Sequence, residues 1–141
     1  MFRYTGEKKY LKTAENCADH FISALPQDLV PYWDLKHPSI PDTYRDASAA
    51  SIAACALWRL SHQVRNKKKS LLYHNIAVGL FNQLTEEYLA EEEGYRCLLL
   101  HSVGNYPAGS EIDCNITYAD YYYLEAFLDL TGKHDFEITL R

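Results

Sequence analysis

Residues 47–56 read ASAASIAACA, and in that run Ile52 is the one side chain larger than cysteine. A helix lined with such small groups lets other helices approach closely on several sides, so this run suits the inner helix of a crowded helical assembly. Asp46 stands in front of it as an N-cap whose carboxylate can accept from the first-turn amides. The helix is expected to run to about residue 64, and the rest of the chain must supply the helices that enclose it.

The chain supplies them in order. Over residues 8–25 the apolar positions are Tyr10, Leu11, Ala14, Cys17, Ala18, Phe21, Ile22 and Leu25, at the three-and-four spacing of one helix face, and Pro26 ends the run. Tyr4-Thr5-Gly6 before it reads as a turn closing an earlier helix, as if the chain begins within a larger helical pattern. A basic turn at 65–69 leads to a third helix over 70–92. Its stripe is Leu72, Ile76, Leu80, Leu84 and Tyr88, widened by Phe81 and Leu89. Glu91, Glu92 and Glu93 oppose the helix dipole and mark fraying into a turn at Gly94. The apolar run 95–100 is a connector or the tail of the packing layer. A fourth helix over 118–130 is stopped by Thr131-Gly132-Lys133, and the last eight residues are expected to form a weakly held tail. In that helix Tyr121, Tyr122 and Tyr123 span three directions, so at least one faces the core. Glu125 shares a face with Tyr121. The plan is all-α, one domain over 1–141, built of helical hairpins.

Several functions are excluded by composition. A net charge of -5, with Lys67-Lys68-Lys69 as the one basic cluster, gives no footprint for nucleic acid. No apolar run approaches the roughly 18 residues of a spanning helix, and the first residues lack a secretory core, so the expectation is a soluble cytoplasmic chain without membrane contact. Cys17, Cys55, Cys97 and Cys114 are widely spaced and read as reduced, buried thiols. No histidine pair has zinc-protease spacing, and neither a metal nor a cofactor is expected.

Two loops carry the candidate chemistry. Residues 27–45 contain Pro31, Pro38 and Pro41, which break any regular element, and a loop of this length in a compact domain is commonly functional. Within it, Trp33 beside Asp34 can stack on a sugar ring while the carboxylate takes a hydroxyl; equally, Trp33 can pin the loop to the core. The second loop, 101–116, is polar and punctuated by Gly104, Pro107 and Gly109. Asp113 and Asp120 near its end are read as acceptors for backbone amides.

Three stretches together resemble one family. YTGEKKYLKTAENCADHFISALP, VPYWDLKHPSIPDTYRDASAASIAACALWRLS and LLLHSVGNYPAGSEIDCNITYADYYYLEAF are similar, in order and without large gaps, to the unsaturated glucuronyl hydrolases, glycoside hydrolase family 88. The Tyr118-Ala119-Asp120-Tyr121-Tyr122-Tyr123-Leu124-Glu125-Ala126 run looks like their carboxyl-terminal signature. Ala47 stands where the family usually has Ser or Thr, and Ala119 where many members have Gly; both are small-for-small changes.

The resemblance implies part of an (α/α)6 barrel of six helical hairpins, matched here by the closing third. It implies hydration of the enol-ether double bond in unsaturated uronic acids of lyase-generated oligosaccharides. The family's two aspartates, one of them the general acid and base, have no counterpart in this chain, so no catalytic residue is assigned. For substrate contact the candidates are Trp33, Arg45, Asp46, His101, Ser102, Asn105, Tyr106, Ser110, Glu111 and Tyr121. Asp46 has a second reading, as a helix cap with an ion pair. The chain is thus expected to contribute substrate-site residues and not the acid and base; the alternative is a non-catalytic helical binding or scaffold module. Trp33 and the 101–111 loop are expected around one concavity. Flanks cut from a closed barrel would expose a large apolar patch, so a homo-oligomer is expected, most simply a two-fold dimer.

Overall fold

The computed structural model describes residues 1–90 and 96–133. Among these the regular elements are five α-helices and one 3-10 turn. Helix α1 (Phe2–Thr5) is closed by Gly6, whose φ of 69° is the left-handed conformation that glycine adopts freely. Helix α2 spans Lys8–Ala24, α3 Ala47–Ser61, α4 Lys67–Glu87 and α5 Thr117–Thr131. Gly132, at φ 69°, ends α5 as the sequence indicates.

Cross-contacts set the directions. Lys69 and Tyr73 of α4 both reach Glu15 and Asp19 of α2, which sets the first turns of α4 beside the middle of α2. Cys55 and Arg59 of α3 meet the Tyr122 carbonyl and Asp129 of α5 in the same order, so these two helices run parallel. Thr85 and Phe81 of α4 meet Tyr123 and Phe127 of α5 in reverse order. In chain order the helices form two long-looped hairpins, α2–α3 and α4–α5, whose members touch only lightly, while α3 packs most broadly on α4 and α5. Helix α3 is the most enclosed: Ala47, Ser48, Ala50, Ser51, Ala54, Cys55, Leu57 and Ser61 are buried. That is the inner role its small side chains allow.

The α2–α4 pair is held by charge as well as packing. The Lys69 ammonium lies 2.7 Å from Asp19 and 3.1 Å from Glu15, and the fully buried Tyr73 donates its hydroxyl to Asp19 at 2.6 Å. The hydrogen bond from Lys69, and then that from Tyr73, hold the Asp19 carboxyl below the usual carboxylate range.

Four expectations need correcting. Helix α4 begins within the supposed basic turn, because the Asn66 side chain accepts from the amides of Lys68 and Lys69 and caps it there. It stops at Glu87, where the chain turns so that Leu89 pairs with Leu99; the expected fraying at Glu91–Gly94 lies outside the described residues, as does the 134–141 tail. The buried stripe of α4 is Tyr73, Ala77, Leu80 and Leu84, while Leu72 is 43% exposed, because successive i+4 steps drift about 40° each around a 3.6-residue helix and carry Leu72 off the face of Leu84. Finally, Cys17 is exposed and Cys97 and Cys114 are half-buried, leaving Cys55 as the buried thiol.

The Cys55 thiol is pushed up to about 12, chiefly by burial, with Asp129 and Glu125 adding to the effect and Arg59 opposing it. A thiol held neutral is a poor nucleophile. In the native chain a thiol-reactive disulfide reagent at pH 8 should label Cys17 promptly and Cys55 only after unfolding, read by peptide mass mapping. Equal labelling of the two would mean that the α3–α5 seam opens.

Candidate functional site

Since α3 and α5 run parallel, the loops that lead into them emerge at the same end. They are bonded to one another there. The Asp46 amide donates to the Pro31 carbonyl at 2.9 Å, and the Ala47 amide donates to the His101 carbonyl at 3.0 Å. Asp46 is the centre of this seam. Its Oδ1 accepts from the Ser48 amide (3.0 Å), the Ser48 hydroxyl (2.6 Å), the Ala49 amide (3.3 Å) and, from the second loop, the Val103 amide (3.3 Å). A cap that also carries a distant amide fixes one loop against the other.

Arg45 is equally committed. It makes a bidentate pair with Asp28 at 2.9 and 2.7 Å, donates to the Val30 carbonyl and lies 4.0 Å over the Tyr32 ring. The expected ion pair is thus with Asp28 and not with Asp46.

Above this seam sits an aromatic cluster. Trp33 and Tyr106 stack with ring centres 4.1 Å apart and planes 19° from parallel, with His37 at 5.3 Å from Trp33 and Tyr44 at 6.1 Å from Tyr106. The indole N–H of Trp33 donates to the Thr43 hydroxyl at 3.2 Å. Trp33 gives one ring face to Tyr106 and so joins the first loop to the second. His37 and Tyr44 escape a sequence reading, since nothing local marks them as ring partners of a residue some 60–70 positions away.

Beside the cluster a cavity of about 370 Å³ is lined by Thr43, Tyr44, Arg45, Glu87, Tyr88, His101 and Asp113. The His101 Nδ1 lies 2.7 Å from Asp113, and Tyr88 meets the imidazole edge-on. Asp113 was expected on backbone amides and instead orients this ring; Asp120 does take an amide, that of Leu99 at 2.8 Å. His101, Glu111 and Asp113 have φ of 61°, 52° and 52°, a conformation uncommon for non-glycine residues and frequent at functional sites. Burial pushes the Tyr88 phenol up from its ordinary value, so it stays a neutral donor.

The other candidates divide. Ser102 is fully buried and its hydroxyl has no partner among the described residues. Asn105 and Ser110 pair across the loop tip, both exposed, and Glu111 is exposed with its side chain packed over Gly104. Tyr121 is drawn elsewhere: its hydroxyl donates to Glu125 at 2.8 Å, and Glu125 pairs with Arg59 near the far end of α3. No group of three metal-ligating side chains occurs among the described residues, and no described helix is long and apolar enough to cross a membrane.

No family model matches the chain. Among curated proteins it is 43% identical over 129 residues to an unsaturated glucuronyl hydrolase of Formosa agariphila, covering 89% of this chain and 31% of that protein. It is 34% identical over 131 residues to an unsaturated glucuronyl hydrolase of Bacillus sp. strain GL1, covering 91% of this chain and 34% of the relative. The chain thus spans about a third of the length of the relatives it matches. The crystal structure of the Bacillus sp. GL1 hydrolase superposes with a TM-score of 0.86 over 92% of this chain and 35% of that one, at 32% identity. A glucuronyl hydrolase specific for heparin also gives a TM-score of 0.86, over 94% of this chain and 36% of its own, at 37% identity. The two hairpins accordingly correspond to part of a helical barrel.

Proposed function

We infer, from a chain that belongs to the unsaturated glucuronyl hydrolase family over the third of those proteins that it spans, that its two-loop rim binds unsaturated uronic-acid oligosaccharides without itself supplying the acid and base that hydrate them. The observation that carries this is the Trp33–Tyr106 stack beside the cavity at His101 and Asp113. An aromatic face next to convergent hydrogen-bonding groups, at a cavity of about 370 Å³, matches the general form of a small-ligand site. In this reading Tyr106 offers a sugar its outer face, His101 and Tyr88 offer donors, and Asn105, Ser110 and Glu111 meet the sugar beyond the double bond. Arg45, Asp46 and Ser102 shape the floor, and Trp33 holds Tyr106 in place. Tyr121 has no part in this rim.

The wider setting follows from the same reading. Four unpaired cysteines suit a reducing compartment such as the cytoplasm. The apolar surfaces left open by the two hairpins suit a homo-oligomer.

The binding step is tested by calorimetric titration of the chain with an unsaturated uronyl disaccharide. Saturable heat is expected in the millimolar range or tighter, weakened at least tenfold by Tyr106→Ala and unchanged by Tyr121→Ala. Absence of heat, or equal loss in both variants, would leave the rim a structural seam and favour the scaffold alternative.

A further inference from the structure

His101 and Asp113 reach the cavity as a pair, each from an unusual backbone position. They lie one residue before Ser102 and Cys114, whose amides and carbonyls exchange bonds of 2.8 and 3.0 Å across the loop. That bridge sets imidazole and carboxylate side by side. Both residues have positive φ, 61° and 52°, although neither is a glycine. Their contact at 2.7 Å joins side chains that are 52% and 46% exposed, and an ion pair so open to water adds little stability to offset two left-handed residues. Strain kept beside a cavity without that return is a mark of function.

The ring has two nitrogens, and one of them is engaged. Nδ1 faces Asp113, whose carboxylate can only accept, so this nitrogen carries a hydrogen whether the ring is neutral or protonated. Nε2 has no bond among the described residues, and it belongs to a ring that lines the cavity of about 370 Å³. Tyr88 meets the ring edge-on, with planes 85° apart, and so limits its rotation. The charged and titratable groups around it are Asp113 from its own loop, Glu87 and Tyr88 from the end of α4, and Tyr44 and Arg45 from the first loop. The Arg45 guanidinium already serves Asp28 and the Val30 carbonyl. The balance that remains is acidic, which disfavours an anionic group in the cavity and suits a hydroxyl.

We propose that Asp113 is a positioning residue of the sugar site: it fixes the hydrogen of His101 on Nδ1 and so presents Nε2 to a hydroxyl of the bound uronyl oligosaccharide. This rests on the rim reading above and adds which atom makes the contact and what holds it. A hydroxyl both donates and accepts, so Nε2 meets it in either state: the neutral ring accepts from it, and the protonated ring donates to it. A uronate carboxylate only accepts, and the protonated ring alone would hold it. Without Asp113 the neutral ring is free to move its hydrogen to Nε2 and to turn away.

Long-range proton–nitrogen correlation spectra of the isotope-labelled chain read the tautomer, with the His101 signals assigned by their loss in His101→Asn. Wild type should show the Nδ1–H form once the ring is neutral; the Nε2–H form would overturn the proposal with no ligand needed. Two substitutions suit the left-handed position 113: Asp113→Gly removes the carboxylate, and Asp113→Asn keeps an acceptor oxygen. Asp113→Gly should lose the Nδ1–H form and weaken calorimetric binding of an unsaturated uronyl disaccharide at least tenfold, and Asp113→Asn should restore both. Tenfold loss with the tautomer unchanged would mean that Asp113 itself touches the sugar; unchanged binding with the tautomer lost would mean that the sugar does not use Nε2. Either result overturns the positioning role and spares the rim reading. Wild-type affinity should change by less than about tenfold between about pH 5.5 and 8. A steeper loss as pH rises would show the protonated ring holding the uronate carboxylate and overturn the hydroxyl contact. A wild-type chain with the Nδ1–H form and no binding would overturn the rim reading, and this proposal with it.

Discussion

Mixed with an unsaturated uronyl disaccharide, the purified chain should leave the ultraviolet absorbance of the conjugated double bond unchanged over hours, where a relative of full length would remove it. Hydration of an enol ether requires a proton donor at the double bond and a base for the water, each contributing on the order of 10²–10⁴-fold when positioned. By resemblance, the aspartates that do this in the family have no match here. The carboxylates at the rim are already engaged: Asp46 accepts four hydrogen bonds on one oxygen, and Asp113 orients His101. Loss of absorbance above a heat-killed control, abolished by His101→Ala or by Asp46→Asn, would move the chemistry into this chain. Binding without turnover is the pattern that agrees with the proposed function.

The second large effect is expected at Asp46. Asp46→Ala removes a helix cap, about 1 kcal/mol, and leaves the Val103 amide without its acceptor, a further 1–3 kcal/mol or so for a buried donor. A fall of roughly 10 °C in melting temperature follows for a chain of this size. Asp46→Asn keeps an acceptor oxygen at the same place and should lose much less. Because the same carboxylate joins α3 to the second loop, Asp46→Ala should also weaken disaccharide binding at least tenfold, even at a temperature where the variant is fully folded. Thermal unfolding by circular dichroism, paired with the calorimetric titration, reads both. A melt indistinguishable from wild type would show that Asp46 neither caps nor ties the loops. A normal affinity in a destabilised variant would confine its role to α3.

Much of the framework is written locally in the chain. Asp46 opens α3, Pro26 lies just beyond α2, Gly6 and Gly132 supply left-handed stops, and the Ala/Ser run marks the inner helix. Such signals work because a cap, a proline or a φ above zero depends on neighbours within a few residues. The family resemblance was legible for a related reason, since its motifs are contiguous stretches. Even Asn66 was readable in principle as a cap, but the lysines after it looked like a turn because their charges outweigh a single polar residue in any reading by composition.

Which side chains meet is a different matter. Trp33 could be read as a platform or a plug until Tyr106 was found against it; Arg45 took Asp28 and not its neighbour Asp46; Asp113 took the His101 ring; Tyr121 left the rim for the Glu125–Arg59 pair. Helix α4 buries Tyr73 because Asp19, on another helix, waits for its hydroxyl. The sequence by itself determined the start of α3, the ends of α2 and α5 and which helix lies inside, because those choices are decided by local backbone hydrogen bonding and side-chain volume. Only the tertiary structure decided the rim's contacts, because each depends on two parallel helices delivering their loops to the same end, and that placement is set by packing between segments far apart in the chain.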